Sequence, residues 1–442
     1  MIAKARFVVP VNSPVIENGA ITFEEGRIVS IGSAGELTGK PIIDYGDAVI
    51  LPGFVNAHTH LELSLLNGRV PPTPDFIDWL RRLIAVRSTD LHTEPRSSVR
   101  ATPNGASTVG VRSPAATDPS CGDAFAADYV ARAVRQGIAE SVSSGVTTIG
   151  DITARPRWTR PVLAQSAVRA VSFGEVIGIG KGRTGLTDRL ESAACIEHQT
   201  DAMRIGISPH APYTVEPDGL RACAERARQI DAVLCIHVAE TRDEEAFTRD
   251  RTGPLSEFLR ELGVWDDEIP ASALTPVELC ATTGLLGPST LLAHANYVSD
   301  ADMATIASTG ASVAYCPRTH AAFGHAPHRF RDMLQAGVNV CLGTDSLASN
   351  PSLSILDELR FLRTPCRDVA SIDLLSMATI RGACALGFSE LIGSLTAGKA
   401  ADFVVIPLTP SNNVSWEEVL ESELAPLAVY IAGCRRSGSF YC

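Results

Sequence analysis

RIGISPHAPYTVEPDGLRACAERARQIDAVLCIHVAE, residues 204–240, reads as a strand, a helix and a second strand in succession. RIGISPH (204–210) and VLCIHV (233–238) are short apolar runs of strand length. Between them, GLRACAERARQI (219–230) spaces its apolar residues like the buried face of a helix. Each run also ends on chemistry. His210 closes the first, and His237 with Glu240 closes the second. The same alternation continues in both directions. Upstream lie FVNAH (54–58), VTTIGD (146–151) and AVSFGEV (170–176). Downstream lie TLLAHA (290–295), SVAYCP (312–317) and NVCLGTD (339–345), with helical patterns such as ADMATIASTG (301–310) between them. Eight such runs predict an α/β fold, a TIM-like (β/α)8 barrel over residues 51–394.

The two ends read differently. Within residues 1–50, ARFVVPV, GAITFEEGRIVSIG and GDAVI are short strands, with a hairpin turn expected at Glu25-Gly26. Within residues 395–442, ADFVVIPL and LAVYIAGCRR repeat that style after the turn at Gly398. The two ends are therefore expected to pair into one small β-sandwich domain beside the barrel. Residues 88–122 (STDLHTEPRSSVRATPNGASTVGVRSPAATDPSCG) lack periodicity and predict a flexible surface insertion, with His92 solvated.

Bulk properties exclude several roles. Lys and Arg total 38 against 50 Asp and Glu, a formal charge of −12, which repels phosphate backbones and anionic membranes. No basic stripe or paired Cys/His finger spacing offers a nucleic-acid surface. The eleven cysteines are odd in number and form no CxxC pair, as expected in a reducing compartment. No signal peptide or membrane-length apolar run is evident, so a cytoplasmic protein is expected. GIGKGRTG (178–185) lacks the spacing of a phosphate-binding loop and reads as the loop after the third strand. Small molecules are the expected partners, and a homodimer is the default assembly.

His58 and His60 are two residues apart, so in a strand they face one side and can together chelate a divalent metal. The last five strand-like runs all end on, or soon reach, polar groups. These are His210; His237 and Glu240; His294; Arg318 and His320; and Asp345. Barrel interiors favour branched apolar side chains, so a rim of imidazoles and a carboxylate needs partners. One buried histidine is ordinarily structural. Five strand ends in series point to a metal site.

VILPGFVNAHTHLE, SPHAPYT, HVAET, LLAHA, LGTDSLASN and the C-terminal GSLTAGKAADFVVI resemble the amidohydrolase superfamily. The resemblance implies that His58, His60 and His237 give nitrogens, and Asp345 an oxygen, to one divalent metal. Zinc is expected, with Fe2+ and Mn2+ also suited to such ligands. No lysine closes the fourth strand, where binuclear members carry a bridging modified lysine, so the similarity is to the mononuclear, deaminase-rich branch. Such a metal brings the pKa of a water down to about 7. Asp345 is then expected to take up the water's proton, Glu240 to shuttle a proton to the substrate, and His294 to stabilise developing charge.

SPHAPYT, HVAET and DFIDWL resemble deaminases of adenosine-like heterocycles, which implies substrate contacts at His210 and Trp79. GTDSLASNPSLSILDELRFL is similar to the aminofutalosine deaminases, so 6-amino-6-deoxyfutalosine is the specific substrate expected. Two departures stand out. Adenosylhomocysteine and methylthioadenosine deaminases carry a ribose-binding glutamate after this helix, where Ala85-Val86-Arg87-Ser88 offers no carboxylate. CPRTHAAFGHAPHRF replaces their C-P-x-S-N pattern, and its Arg318 and His320 are expected to bind an anionic part of the substrate. Hydrolysis of another C–N, amide or carbon–halogen bond uses the same machinery and is the alternative. A dead barrel scaffold is the remote one, since the full ligand and acid set is present.

Overall fold

A computed structural model describes residues 1–35, 40–92, 119–409 and 415–436. Eight parallel strands form the barrel, in chain order around its wall. They are β1 (Phe54–Thr59), β2 (Val146–Thr153), β3 (Arg169–Val176) and β4 (Met203–Pro209). Then come β5 (Val233–Val238), β6 (Thr290–His294), β7 (Ser312–Tyr315) and β8 (Asn339–Leu342). Each corresponds to one of the apolar runs. The wall closes beyond β8, where Thr59 bridges Asp345 in parallel. There the amides of Thr344 and Asp345 both lie 3.1 Å from the His58 carbonyl.

Side chains alternate with period two along each strand. In β5, Leu234, Ile236 and Val238 pack outward under the helices, while Cys235 packs inward with Phe173, Leu291 and Cys341. That parity sends His237 inward as well. Two local departures re-aim the other histidines. β1 carries one extra residue against β2 between Asn56 and Thr59. A bulge of this kind shifts parity, and it lets His58 face the interior even though Ala57 and Val55 also do. In β6, Ala293 faces inward, so a regular strand would turn His294 away. Its left-handed φ of 71° ends the strand and brings the ring over the barrel mouth.

The small domain is one mixed sheet drawn from both chain ends. Strand Ala48–Pro52 pairs antiparallel with Phe403–Pro407 and joins the two ends. Ile16–Glu24 and Arg27–Ser33 form the expected hairpin, with Glu25 (φ 48°) and Gly26 (φ 77°) in the left-handed conformation such a turn requires. The sheet wraps a separate core of Ile21, Phe23, Ile50, Phe403 and Tyr430. The N-terminal contribution runs to Pro52, two residues past the expected boundary, and passes through Gly53 into β1.

The segment 88–122 is not loop throughout. Helix Phe76–His92 takes its first residues and helix Pro119–Ser143 its last; residues 93–118 lie outside the described residues. Among the described residues, no helix is long and apolar enough to cross a membrane.

Barrel closure requires one close backbone approach beside the bulge. A Cβ on Gly150 of β2 would stand 2.2 Å from the carbonyl oxygen of Ala57. Gly150→Ala is therefore expected to cost about 1–3 kcal/mol, as overpacking does. Urea denaturation checks this, and an unchanged midpoint would mean that β1 and β2 are not so closely apposed.

Candidate metal and substrate site

The C-terminal strand ends bring four donors together. His60 Nε2 lies 3.2 Å from His237 Nε2 and 3.6 Å from Asp345 Oδ1. His58 Nε2 lies 4.0 Å from the same oxygen. His58 is fully buried, and its Nε2 has no hydrogen-bond partner among the described residues. The His237 Nδ1–H donates to the His210 carbonyl at 2.8 Å, which leaves Nε2 as a bare lone pair. Burial pulls the pKa of His58 and His60 well below the ordinary imidazole value, and that of His237 down to about 4. These rings are neutral at physiological pH. Neutral imidazole lone pairs facing one another and a carboxylate, with no donor between them, suit a divalent cation. His294 is a further candidate, since one of its ring nitrogens lies within 4.8 Å of nitrogens on His58 and His237.

Asp345 sits just past β8 in left-handed backbone, with φ 57°. Ala239 and Ala295, at the ends of β5 and β6, are left-handed too. Such conformations are costly for non-glycine residues and gather at functional sites, where the surrounding structure holds them. The Ser349 hydroxyl donates to Asp345 Oδ2 at 2.7 Å, leaving Oδ1 toward the imidazoles. Burial raises the Asp345 carboxyl to about 6.

Glu240 follows β5, and its Oε1 is 3.5 Å from His294 Nε2. Its amide donates to Glu244 at 3.0 Å, and its carbonyl accepts from Asn296 Nδ2 at 3.1 Å. Burial pushes its carboxyl well above the ordinary range, and the Asp345 and Glu244 charges push the same way. A carboxyl so placed holds its proton more tightly than a solvated one and is positioned for acid–base work.

His60, His237, Glu240, His294 and Asp345 line a cavity of about 330 Å³. Its other wall is apolar, with Leu63, Phe76, Trp79, Leu83, Ile177 and Phe258. Trp79 donates its Nε1–H to the Val70 carbonyl at 3.0 Å, so it offers the cavity only its ring. His210 also lines the cavity, with Nδ1 2.8 Å from Thr214 Oγ1.

Arg318 and His320 are not among the residues lining this cavity. Arg318 turns to Ser352 Oγ at 2.8 Å and Asp357 at 3.5 Å, and its amide donates to Glu358. His320 is packed among Tyr315, His325 and His328. The nitrogen-rich stretch forms a block behind the site, where His328 Nε2–H donates to the His294 carbonyl at 2.9 Å. The structure therefore does not bring the expected anion-reading pair to the lining of this cavity. Glu175 and Arg87 line the cavity instead, and neither was singled out from sequence as a site residue. Glu175 was legible by the strand-end rule, since it is the penultimate residue of β3. Asp151, near the end of β2, is fully buried and accepts the Leu61 amide at 2.8 Å.

With Asp345 near 6 and the imidazoles lower, protons should compete for the metal one at a time as pH falls. Apparent metal affinity is expected to be flat above about pH 6 and to weaken roughly tenfold per unit just below it. Competition with a chelator across pH measures this. A slope of two or three protons, starting at the ordinary imidazole pKa, would contradict it. His237→Ala should remove metal and activity together, as metal analysis and turnover would report.

Comparison with known proteins bears on this arrangement. The Amidohydrolase family matches residues 49–433. A 5-methylthioadenosine/S-adenosylhomocysteine deaminase from Moorella thermoacetica is 29% identical over 432 residues, covering 92% of this chain and 86% of the relative. Helicobacter pylori aminofutalosine deaminase, solved in complex with methylthio-coformycin, superposes with a TM-score of 0.79 at 23% identity. That match covers 99% of this chain and 100% of the other. An adenosine deaminase from Xanthomonas campestris with bound zinc gives 0.77 at 23% identity, covering 98% and 92%. The two solved structures speak to the fold, and the match over residues 49–433 speaks to descent. The chain belongs to the amidohydrolase family and is a hydrolase.

Proposed function

We propose that the protein is a metal-dependent deaminase that replaces the 6-amino group of an adenine nucleoside with oxygen and releases ammonia. The observation that carries this is Glu240. It is a buried carboxyl, its pKa raised by burial, that lines a largely apolar cavity together with His60, His237 and Asp345 and lies 3.5 Å from His294. His58, His60, His237 and Asp345 would hold the ion, and three imidazoles with a carboxylate suit zinc. When bound, the metal supplies Lewis acidity and a water that is acidic enough to react at neutral pH.

The remaining work belongs to the chain. Trp79 and the apolar wall bind the planar base and exclude bulk water. Glu240 gives its proton to the ring nitrogen beside the reacting carbon, which makes that carbon electrophilic. Asp345 Oδ1, its partner oxygen held by Ser349, accepts the proton of the adding water. His294, 3.5 Å from Glu240, stabilises the developing charge. The hydroxyl proton of the tetrahedral carbon passes through the now ionised Glu240 to the amine. The carbon–nitrogen bond breaks as the carbonyl forms, ammonia leaves, and the proton held by Asp345 restores Glu240.

Among adenine nucleosides, 6-amino-6-deoxyfutalosine is the specific candidate, on the likeness of residues 343–362 to aminofutalosine deaminases. The 29% identity to a methylthioadenosine/adenosylhomocysteine deaminase supports the wider class of nucleosides altered at the 5′ position.

Ammonia release from a panel of such nucleosides, with metal-quantified enzyme, tests the reading. Metal-dependent release from at least one member is expected; a fully metallated enzyme inert toward all of them would refute it. Glu240→Gln should retain the metal and lower kcat by roughly 10²–10⁴, the usual contribution of a positioned acid–base. Full activity in that variant would remove Glu240 from the chemistry.

A further inference from the structure

We propose that Glu175 reads the sugar hydroxyls of the nucleoside and so sets which sugar the enzyme accepts. This rests on the adenine-nucleoside reading above. Glu175 lines the same cavity as the metal-type donors, and its side chain is 11% exposed, so it is not a solvated surface group. Its Oε1 lies 3.9 Å from Nε2 of His210, outside hydrogen-bonding distance. The His210 ring in turn lies 5.0 Å, centroid to centroid, from that of His237. His237, His210 and Glu175 thus form a polar track leading away from the reacting end. The track is rigid. Glu175 is paired opposite Ser208 between β3 and β4, and the His210 amide donates to the Val176 carbonyl at 2.9 Å.

Among the described residues no side chain donates to this largely buried carboxylate, so a ligand that fills the cavity can supply its donors. The two guanidinium groups that line this cavity among the described residues are engaged elsewhere. Arg87 pairs with Glu62, and Arg189 donates to the carbonyls of Ile177 at 2.9 Å and Gly182 at 3.1 Å. The substrate's amine is committed to the Glu240 end, since that is where it must react. The sugar is what remains to reach Glu175. A vicinal diol offers two donors to a carboxylate's two oxygens. On the helix that carries Trp79, Ala85-Val86-Arg87-Ser88 has no carboxylate, Asp90 farther on is bonded to Arg69 and Tyr129, and Arg87 is the residue that lines the cavity. Glu175 approaches from a different strand.

The experiment compares kcat/KM for the ribonucleoside turned over fastest with that for its 2′,3′-dideoxy counterpart. The parent enzyme, Glu175→Gln and Glu175→Ala are measured side by side, with metal content recorded for each. The parent is expected to favour the ribonucleoside by roughly 100-fold or more, at about tenfold or more per hydrogen bond to a charged acceptor. In Glu175→Ala that ratio should fall at least tenfold, mainly through KM for the ribonucleoside. Glu175→Gln, which keeps the side chain's shape and one acceptor, should fall between. Metallated variants that keep the parent's ratio would overturn the assignment and leave the deaminase reading standing. A metallated parent enzyme that releases no ammonia from any nucleoside would overturn both, and it would show before any variant is made.

Discussion

The rim of this barrel depends on one closure. The amides of Thr344 and Asp345 both meet the carbonyl of His58, and Thr59 Oγ1 donates to the Asp345 carbonyl at 2.7 Å. These bonds join the first barrel strand to the segment after the last. They also bring His58 and His60 against a carboxylate far away in sequence. The buried pair Asn56 and Thr344 ties the same seam one layer lower, through two hydrogen bonds of 2.8 and 3.1 Å. Backbone geometry then does the aiming. A bulge turns His58 inward, and left-handed residues turn His294 and Asp345 over the mouth. Unfavourable backbone conformations persist here because the surrounding hydrogen bonds over-determine them.

Burial supplies the electrostatics. Burial at the barrel mouth disfavours charged forms, so imidazole pKa values fall and carboxyl pKa values rise. The same environment thus makes His58, His60 and His237 good ligands and Glu240 a good acid. Their different roles follow from their neighbours. At Asp345 a hydroxyl donor from Ser349 opposes the rise and the carboxyl stands at about 6, whereas at Glu240 two like charges push upward along with burial. Groups whose environments drive them apart in this way can divide acid and base work between them.

Much of this was legible in the sequence. All eight barrel strands follow from local apolar periodicity, and the Glu25-Gly26 hairpin follows from its turn residues, because both are short-range properties. The strand-end rule brought out the histidines, Glu240 and Asp345, since a barrel gathers those ends whatever lies between them. Side-chain direction outside the strands was not legible. Arg318 follows β7 like the others, yet it turns to Ser352 and Asp357, partners fixed by the packing of a later helix. His320 is absorbed into an aromatic block for the same reason. Glu175 and Asp151 obey the strand-end rule but were passed over, as a lone carboxylate carries less signal than a row of histidines. The shift of parity in β1 depends on register with β2, which no single segment encodes.

The most direct test of this account is anomalous diffraction at the zinc edge from crystals of the zinc-loaded protein. One peak is predicted per chain, about 2.1 Å from nitrogens of His58, His60 and His237 and bonded to an Asp345 oxygen. Glu240 should stand near that peak without touching it. A peak among other residues, or one bound to Glu240 in place of Asp345, would contradict the account.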